Sequence, residues 1–293
     1  MSVAQITPAR ESSVGELAVR RALPTRGRRT VGPWCFCDHL GPATYREDRR
    51  YDVAPHPHVG LQTVTWLLEG AMVHRDSLGS EQLIRPGQVN LMSAGDGVVH
   101  SEENPGLDHG ELHGVQLWLA QPDATRHGAP AFAHHEDPPR VELDHGLATL
   151  VVGSSMGLVS SARPDAPGLA LELRLARGTS AVALDAGFEH ALLVAEGEVV
   201  LGGEAVTPGS LAYLEPGLDE VDLVAHEGAV ALLIGGAPFP EAVVMWWNFV
   251  ARSHEEIARA YEAYLKHDER FGEVDSALAR LEVAPPPWFS SRR

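Results

Sequence analysis

The chain is nearly empty of cysteine. Its 293 residues hold two, Cys35 and Cys37, both in the segment WCFC. Two residues apart on an extended strand, their side chains share a face and are poorly placed to bond to each other. With no further cysteine, a disulfide framework is excluded, and buried free thiols in a reducing cytoplasm are expected. A metal site built on the pair is the rarer alternative. Long apolar runs are also missing, so no membrane-spanning helix is expected. No apolar segment near the start suggests a secretory leader. Basic charge is scarce: 23 Lys and Arg against 40 Asp and Glu leave a net charge of −17. Such a surface repels phosphate backbones, which argues against direct nucleic-acid binding. The arginines still crowd the start, at Arg10, Arg20, Arg21, Arg26, Arg28 and Arg29. That crowding reads as a solvated arm or edge strand, with a docking patch for an acidic protein partner as the alternative. A nucleophile elbow, a P-loop and a dinucleotide fingerprint are all missing from any credible strand–helix setting.

Turn residues and short apolar segments fill the space instead. Hydrophobic residues make up 44% of the chain, enough for a sizeable core and, at this length, for about two domains. The apolar stretches TVTWLLEG, EQLIRPGQVNLM, GVQLWLA and LATLVVG are short and rich in β-branched or aromatic residues. Turn signals such as DSLGS and AGDG separate them, as in an all-β sandwich or barrel. Residues 122–140, PDATRHGAPAFAHHEDPP and its flanks, read as a long polar connection rather than a regular element. Strands then resume, and the second set repeats the first in style. LLEGAMVHRD is echoed by LVAEGEVVLGG, and IRPGQVNLMSAG by VTPGSLAYLEPG. We read this as two tandem copies of one β-barrel unit, over residues 1–135 and 136–293. A helix follows. Ser253 with Glu256 three residues on forms a capping box, and Ile257, Ala260, Tyr261, Tyr264 and Leu265 share one face. The tail EVAPPPWFSSRR is expected to be a strap or to lack order.

The histidines are lopsided: eleven of fifteen precede residue 146. In HPHVG, His56 and His58 stand two apart, so an extended chain points both to one side, and Pro57 stiffens the backbone between them. Alone they could be ordinary surface histidines. The segment GDGVVHSEENP adds a second such pair, His100 and Glu102. Three imidazoles and a carboxylate make a shell suited to a divalent transition metal such as Fe(II), Mn(II), Ni(II) or Co(II). A closed structural zinc site would more often use thiolates. Other histidines are weaker candidates. His113 shares a face with Val115 and Leu117 and could line the cavity and hydrogen-bond a ligand. His74 and Asp76 are expected at a surface hairpin tip, and His134 and His135 are expected to be solvated.

The run HPHVGLQTVTWLLEGAMVHRDSLGSEQLIRPGQVNLMSAGDGVVHSEENP, followed by HGVQLWLA, closely resembles the pirin family of the cupin superfamily. PWCFCDHLGP upstream and VMWWNFVARSHEEIARAYEAY downstream resemble the flanks of the same family. The resemblance implies an all-β bicupin: two tandem cupin-type β-barrels with a short C-terminal α-helix. It implies a mononuclear non-haem iron held by His56, His58, His100 and Glu102, with Mn, Ni, Co, Cu or Zn also acceptable to such a shell. The second barrel shows only Glu189 and His190 at the equivalent place, so no metal is expected there. Where the family usually has GFET, this chain has GLQT with Gln62. If Gln62 faces the metal, a charge is lost and catalysis is affected. Two functions follow from the resemblance. One is a quercetin 2,3-dioxygenase-type oxygenase acting on a flavonol-like aromatic substrate, with Glu102 as catalytic base. The other is a non-catalytic, redox-responsive regulator that acts through protein partners, without membrane or direct nucleic-acid contact.

Overall fold

The computed structural model describes residues 5–289. Their strands form two barrels, each made of a seven-stranded and a four-stranded antiparallel sheet, with two small two-stranded sheets outside them. In the first barrel the large sheet is built around Leu61–Glu69, Gly110–Ala120 and Trp34–Tyr45. Its small sheet pairs Val53–His58 with Val98–Glu103, then Met72–Asp76, then Glu81–Ile84. The second barrel repeats the plan: Gly168–Leu175, Glu189–Glu196 and Ala229–Gly236 at the centre of its large sheet, and Gly178–Ala183, Val199–Leu201, Glu204–Val206 and Glu220–Ala225 in its small one. The chain is therefore an all-β double barrel with a short helix after it, as the repeated strand–turn pattern implied.

Each large sheet is buried on both faces, which is why its strands read as nearly continuous apolar runs rather than clean alternation. The outer faces of the two large sheets pack on each other. Trp34, Trp66, Val115, Leu117 and Leu119 of the first meet Val152, Ala170, Leu193, Leu232 and Ile234 of the second in one cluster. Trp34 also donates its Nε1–H to the carbonyl of Gly235 at 3.0 Å. The inside of the second barrel is filled with Leu, Val and Ala side chains, among them Leu171, Leu173, Leu192, Val194 and Leu233.

The two chain ends cross over. Gln5–Pro8 pairs with Ser210–Leu214 at the edge of the second barrel's large sheet. The hairpin of Val244–Trp246 and Phe249–Ala251 turns back onto the first barrel, where Phe249 bridges Val59. The helix His254–Leu265 follows; its N-cap Ser253 accepts a hydrogen bond from the Glu256 N–H. Ile257, Ala260, Tyr261 and Tyr264 are buried as the helical spacing predicted, but Leu265 is exposed. The tail is a strap where it is described. The Tyr264 hydroxyl donates to the carbonyl of Leu281 at 2.6 Å, Tyr261 donates to that of Val283 at 3.0 Å, and the Leu281 N–H donates to Pro55 at 2.7 Å. Residues 290–293 of that tail lie outside the described residues.

Three sequence expectations need correction. The connector around residues 122–140 holds a regular strand, Ala131–His135, paired with Val89–Ser93. Its histidines are half-buried, and His134 is hydrogen-bonded to Asn90 at 2.7 Å. The polar composition hid an edge strand whose open side meets water. For the early arginines the free-arm reading fails and the edge-strand reading holds for Arg10, which opens Arg10–Val14, the last strand of the first barrel's large sheet. Arg21 makes two bonds, of 2.8 and 2.7 Å, to the buried carboxylate of Asp38. Arg28 lies 3.4 Å over the ring of Tyr213, and Arg20 donates to the Gly41 carbonyl at 2.8 Å. Gln62 does not face the barrel interior. Its Nε2 donates to Ser93 Oγ at 2.8 Å, and its Oε1 accepts from the Asp165 backbone N–H at 2.7 Å. It ties the first barrel to the loop of the second barrel that leads into Gly168–Leu175. Replacing it with alanine would remove both partly buried bonds, each worth about 0.5–1.5 kcal/mol. Gln62→Ala is thus expected to lower thermal stability while leaving metal content at the wild-type level. A drop in metal stoichiometry would show that this reading of Gln62 is wrong.

Candidate metal centre

The small sheet of the first barrel places the histidines. His100 stands directly opposite His56 in antiparallel register, and Val98 stands opposite His58. Side chains two apart on a strand share a face, so all three imidazoles project inward from one patch of sheet. Their ligand nitrogens lie within 4.8 Å of one another, and among the described residues no other group of three possible ligands is this close. All three are buried.

The hydrogen bonds around each ring assign its free nitrogen. His56 Nδ1 is 2.9 Å from the carbonyl of Ala54, so it carries the proton and leaves Nε2 bare. His100 Nδ1 is 3.2 Å from His74 Nδ1, while its Nε2 is 3.0 Å from His58 Nε2. Two imidazole nitrogens aimed at each other at that distance repel unless a cation or a proton stands with them. Burial, and then the neighbouring imidazoles, push His58 and His100 well below the usual range for histidine. Burial likewise brings His56 down to about 4. Neutral, converging imidazoles that resist protonation are what a divalent transition metal requires. The donor set fits such an ion.

Glu102 is on the same strand, which pairs regularly with Met72–Asp76 through Glu102; the register slip beside it puts an extra residue on the facing strand, between Val53 and His56. Glu102 is not part of the close nitrogen cluster. It is buried, accepts a 3.3 Å bond from the Thr65 hydroxyl and lines the same cavity. Burial raises its pKa, partly opposed by His74 and Thr65. That cavity has a volume of about 440 Å³. Phe36 and Trp118, stacked at 3.8 Å, form one wall, and Tyr51, Trp246 and Trp247 stand nearer the mouth. The Trp118 ring meets His58 edge-on at 5.1 Å.

His74 and His113 do not sit where the sequence alone put them. His74 is 3% exposed, not at a surface tip: it backs onto His100 and reaches Asp76. His113 points away from the cavity, with Nε2 2.7 Å from His39 Nε2 and Nδ1 3.2 Å from Glu196. His113 does share a face with Val115 and Leu117, as alternation implied, but that face is the outer one packed on the second barrel, while Gln116 and Trp118 line the cavity. The thiols of Cys35 and Cys37 are buried and unpaired, and burial pushes Cys35 up to about 12. They take no part in the site.

The second barrel offers no counterpart. Glu189 accepts from the Gly32 N–H and from the Tyr213 hydroxyl, and His190 is buried alone. Burial lowers His190 to about 4 from an ordinary 6.5. The folded state holds it neutral while the unfolded chain takes up a proton, so its contribution is complete above about pH 6.5 and is lost as pH falls toward 4. Relative to His190→Leu, the wild type is therefore expected to lose stability as pH is lowered through that window. A denaturant-midpoint difference that stays flat would contradict it.

Two sheets per barrel, two barrels and, among the described residues, a buried imidazole cluster in one of them define a bicupin with a candidate metal site in its first barrel. Family comparison agrees. The pirin family model matches residues 16–119, and the model of the pirin C-terminal cupin domain matches residues 170–272. The chain belongs to the pirin family. It is 46% identical over 276 residues to a Pseudomonas aeruginosa protein named "Putative quercetin 2,3-dioxygenase", covering 94% of this chain and 87% of that one. A crystal structure of quercetin 2,3-dioxygenase from Acinetobacter baumannii superposes with a TM-score of 0.94 at 40% identity, covering 98% and 96% of the two chains. A bacterial pirin from Escherichia coli, solved in complex with nickel(II), shares the fold with a TM-score of 0.65 at 18% identity, covering 80% of this chain and all of that one (100%). Among the described residues, no helix is long and apolar enough to cross a membrane.

Proposed function

We propose that this chain is an oxygenase of the quercetin 2,3-dioxygenase type, with its chemistry confined to the first of two units, residues 1–135 and 136–293. His56, His58, His100 and Glu102 would hold a mononuclear divalent metal, iron first. The observation that carries the reading is the pairing of the imidazole cluster with a roomy aromatic cavity. Its volume of about 440 Å³ lies within the roughly 300–1,000 Å³ typical of small-molecule sites. The interior of the second barrel is filled instead with buried Leu, Val and Ala side chains.

When bound, such a metal supplies Lewis-acid polarisation and open positions for a substrate oxygen and for O2. The protein does the rest. The stacked pair Phe36 and Trp118 offers a flat apolar wall against which an aromatic ring system can lie. Burial excludes water from the reacting end. Glu102, raised by burial and only weakly bonded to Thr65, is suited to take the proton from a substrate hydroxyl.

Oxygen uptake by iron-loaded protein supplied with quercetin tests the proposal. Uptake is expected, with a fall of at least about 100-fold in Glu102→Gln, the scale of a lost general base. A metal-replete sample that consumes no oxygen would instead support the non-catalytic, partner-mediated role.

A further inference from the structure

Behind the imidazole cluster lies a buried chain of polar groups that the proposed chemistry does not use. His100 Nδ1 faces His74 Nδ1 at 3.2 Å, and His74 Nε2 faces Asp76 Oδ2 at 2.9 Å. The other carboxylate oxygen, Asp76 Oδ1, accepts the backbone N–H groups of Leu78 at 2.9 Å and Ser80 at 3.0 Å. The sheet register builds this row, because His100 stands opposite Asp76 and Glu102 opposite His74 on adjacent strands. Phe132 stacks on the His74 ring at 4.2 Å with 11° between planes, so that ring has little freedom to turn. Asp76 is 2% exposed and His74 is 3% exposed.

With His74 neutral, one arrangement of protons satisfies every contact along this row. The Asp76 carboxylate can only accept, so His74 carries its proton on Nε2. His74 Nδ1 is then an acceptor, and His100 must donate from Nδ1. His100 Nε2 is left with its lone pair directed into the cluster. We propose that Asp76 and His74 are positioning residues that hold His100 in its metal-binding tautomer and orientation and raise its basicity, an inference that rests on the imidazole cluster being the metal site. Carboxylate–histidine support of a ligand ring is worth roughly 10–100-fold in metal affinity. The chain of groups ends at the backbone of a turn rather than in solvent, so its work is orientation and not proton delivery.

Asp76→Asn tests this sharply. Turned to give its amide N–H to His74, the asparagine makes His74 protonate on Nδ1, where it confronts the His100 N–H. His100 must then give up that proton and carry one on Nε2, the wrong nitrogen for a metal. Turned the other way, the amide N–H groups confront the N–H groups of Leu78 and Ser80.

The experiment is anaerobic titration of the full-length metal-free protein with Co(II), read by its visible d–d absorption and by competition with a chelating dye. Four variants accompany the wild type: Asp76→Asn, His74→Leu, Gly79→Ala and His100→Ala. Gly79 has φ of +87° and open space where a methyl group would stand, so alanine there strains the same turn without touching the chain of rings. The expected result is a Kd raised about 10–100-fold in Asp76→Asn and His74→Leu, with an altered d–d spectrum, and a wild-type Kd and spectrum in Gly79→Ala. The inference is overturned if both relay variants bind within about twofold of wild type while His100→Ala loses the site, given the 10–100-fold scale expected. It is equally overturned if Gly79→Ala weakens binding as much as they do, since a loosened turn would then explain the loss. If His100→Ala itself binds Co(II) like wild type, the imidazole cluster is not the metal site, and the parent reading fails first.

Discussion

Replacing His100 with alanine is expected to leave purified protein with almost no bound transition metal. His100 is the central member of the cluster. Its Nε2 lies 3.0 Å from that of His58, and its ring centroid lies 4.4 Å from that of His56 and 5.0 Å from that of His74. Without it, two imidazoles remain at the cavity wall, with Glu102 outside their close cluster. Two nitrogen ligands and that carboxylate bind far more weakly than a converging three-nitrogen set beside it, because each lost ligand must be replaced by water. Elemental analysis of protein purified without added metal is the measurement. About one transition ion per chain in the wild type and less than a tenth of that in the variant is the outcome we expect, in line with the energy of a lost ligand. The fold should survive, since burial of His100 is stabilised by the surrounding sheet and the substitution removes neighbours that repel one another. Near-stoichiometric metal in a folded His100→Ala protein would rule out the cluster as the site.

The second large effect concerns stability. Trp34 is fully buried at the junction of the two large sheets and bonds across it to Gly235. Trp34→Ala leaves a cavity between two rigid surfaces that cannot collapse into it, and such substitutions cost about 3–5 kcal/mol. In a protein of this size each kcal/mol moves the midpoint by roughly 2–4 °C, so Tm should drop by about 10 °C. Trp34→Phe, which keeps most of the volume and loses only the bond, should cost about 1–2 kcal/mol. A Tm within a degree or two of wild type for the alanine variant would mean that the two barrels are held together by something other than this cluster.

These effects also show how legible the molecule is in one dimension. The double-barrel plan, the C-terminal helix and the inward-facing histidine pairs follow from patterns within a few residues: alternation, turn signals, a capping box. His56, His58 and His100 needed nothing more than the period of a strand. Glu102 obeyed the same rule and lines the same cavity, though it stands outside the close nitrogen cluster. His113 kept its face with Val115 and Leu117, but that face packs on the second barrel. Which face of a strand turns inward is set by how sheets meet, and one strand cannot announce it. His74 and Asp76 stood in plain view in MVHRDSLG, but their partner is 26 residues away from His74. Gln62 is the clearest case: by motif it belongs beside the metal, and by contact it belongs to the second-barrel loop, 103 residues on, that carries Asp165.

What the sequence determined by itself is the repeated strand-and-turn grammar, the all-β class, and the handful of side chains able to bind a metal. What only the tertiary structure decided is which strands became neighbours, and so which rings back onto which, which barrel stays hollow, and where each chain end is anchored. The physical reason is range. Backbone alternation and capping act over a few bonds and leave their mark in local composition. Register, bulges and the contact of one sheet with another are settled by side chains brought together across the whole chain, after the local pattern has already been satisfied.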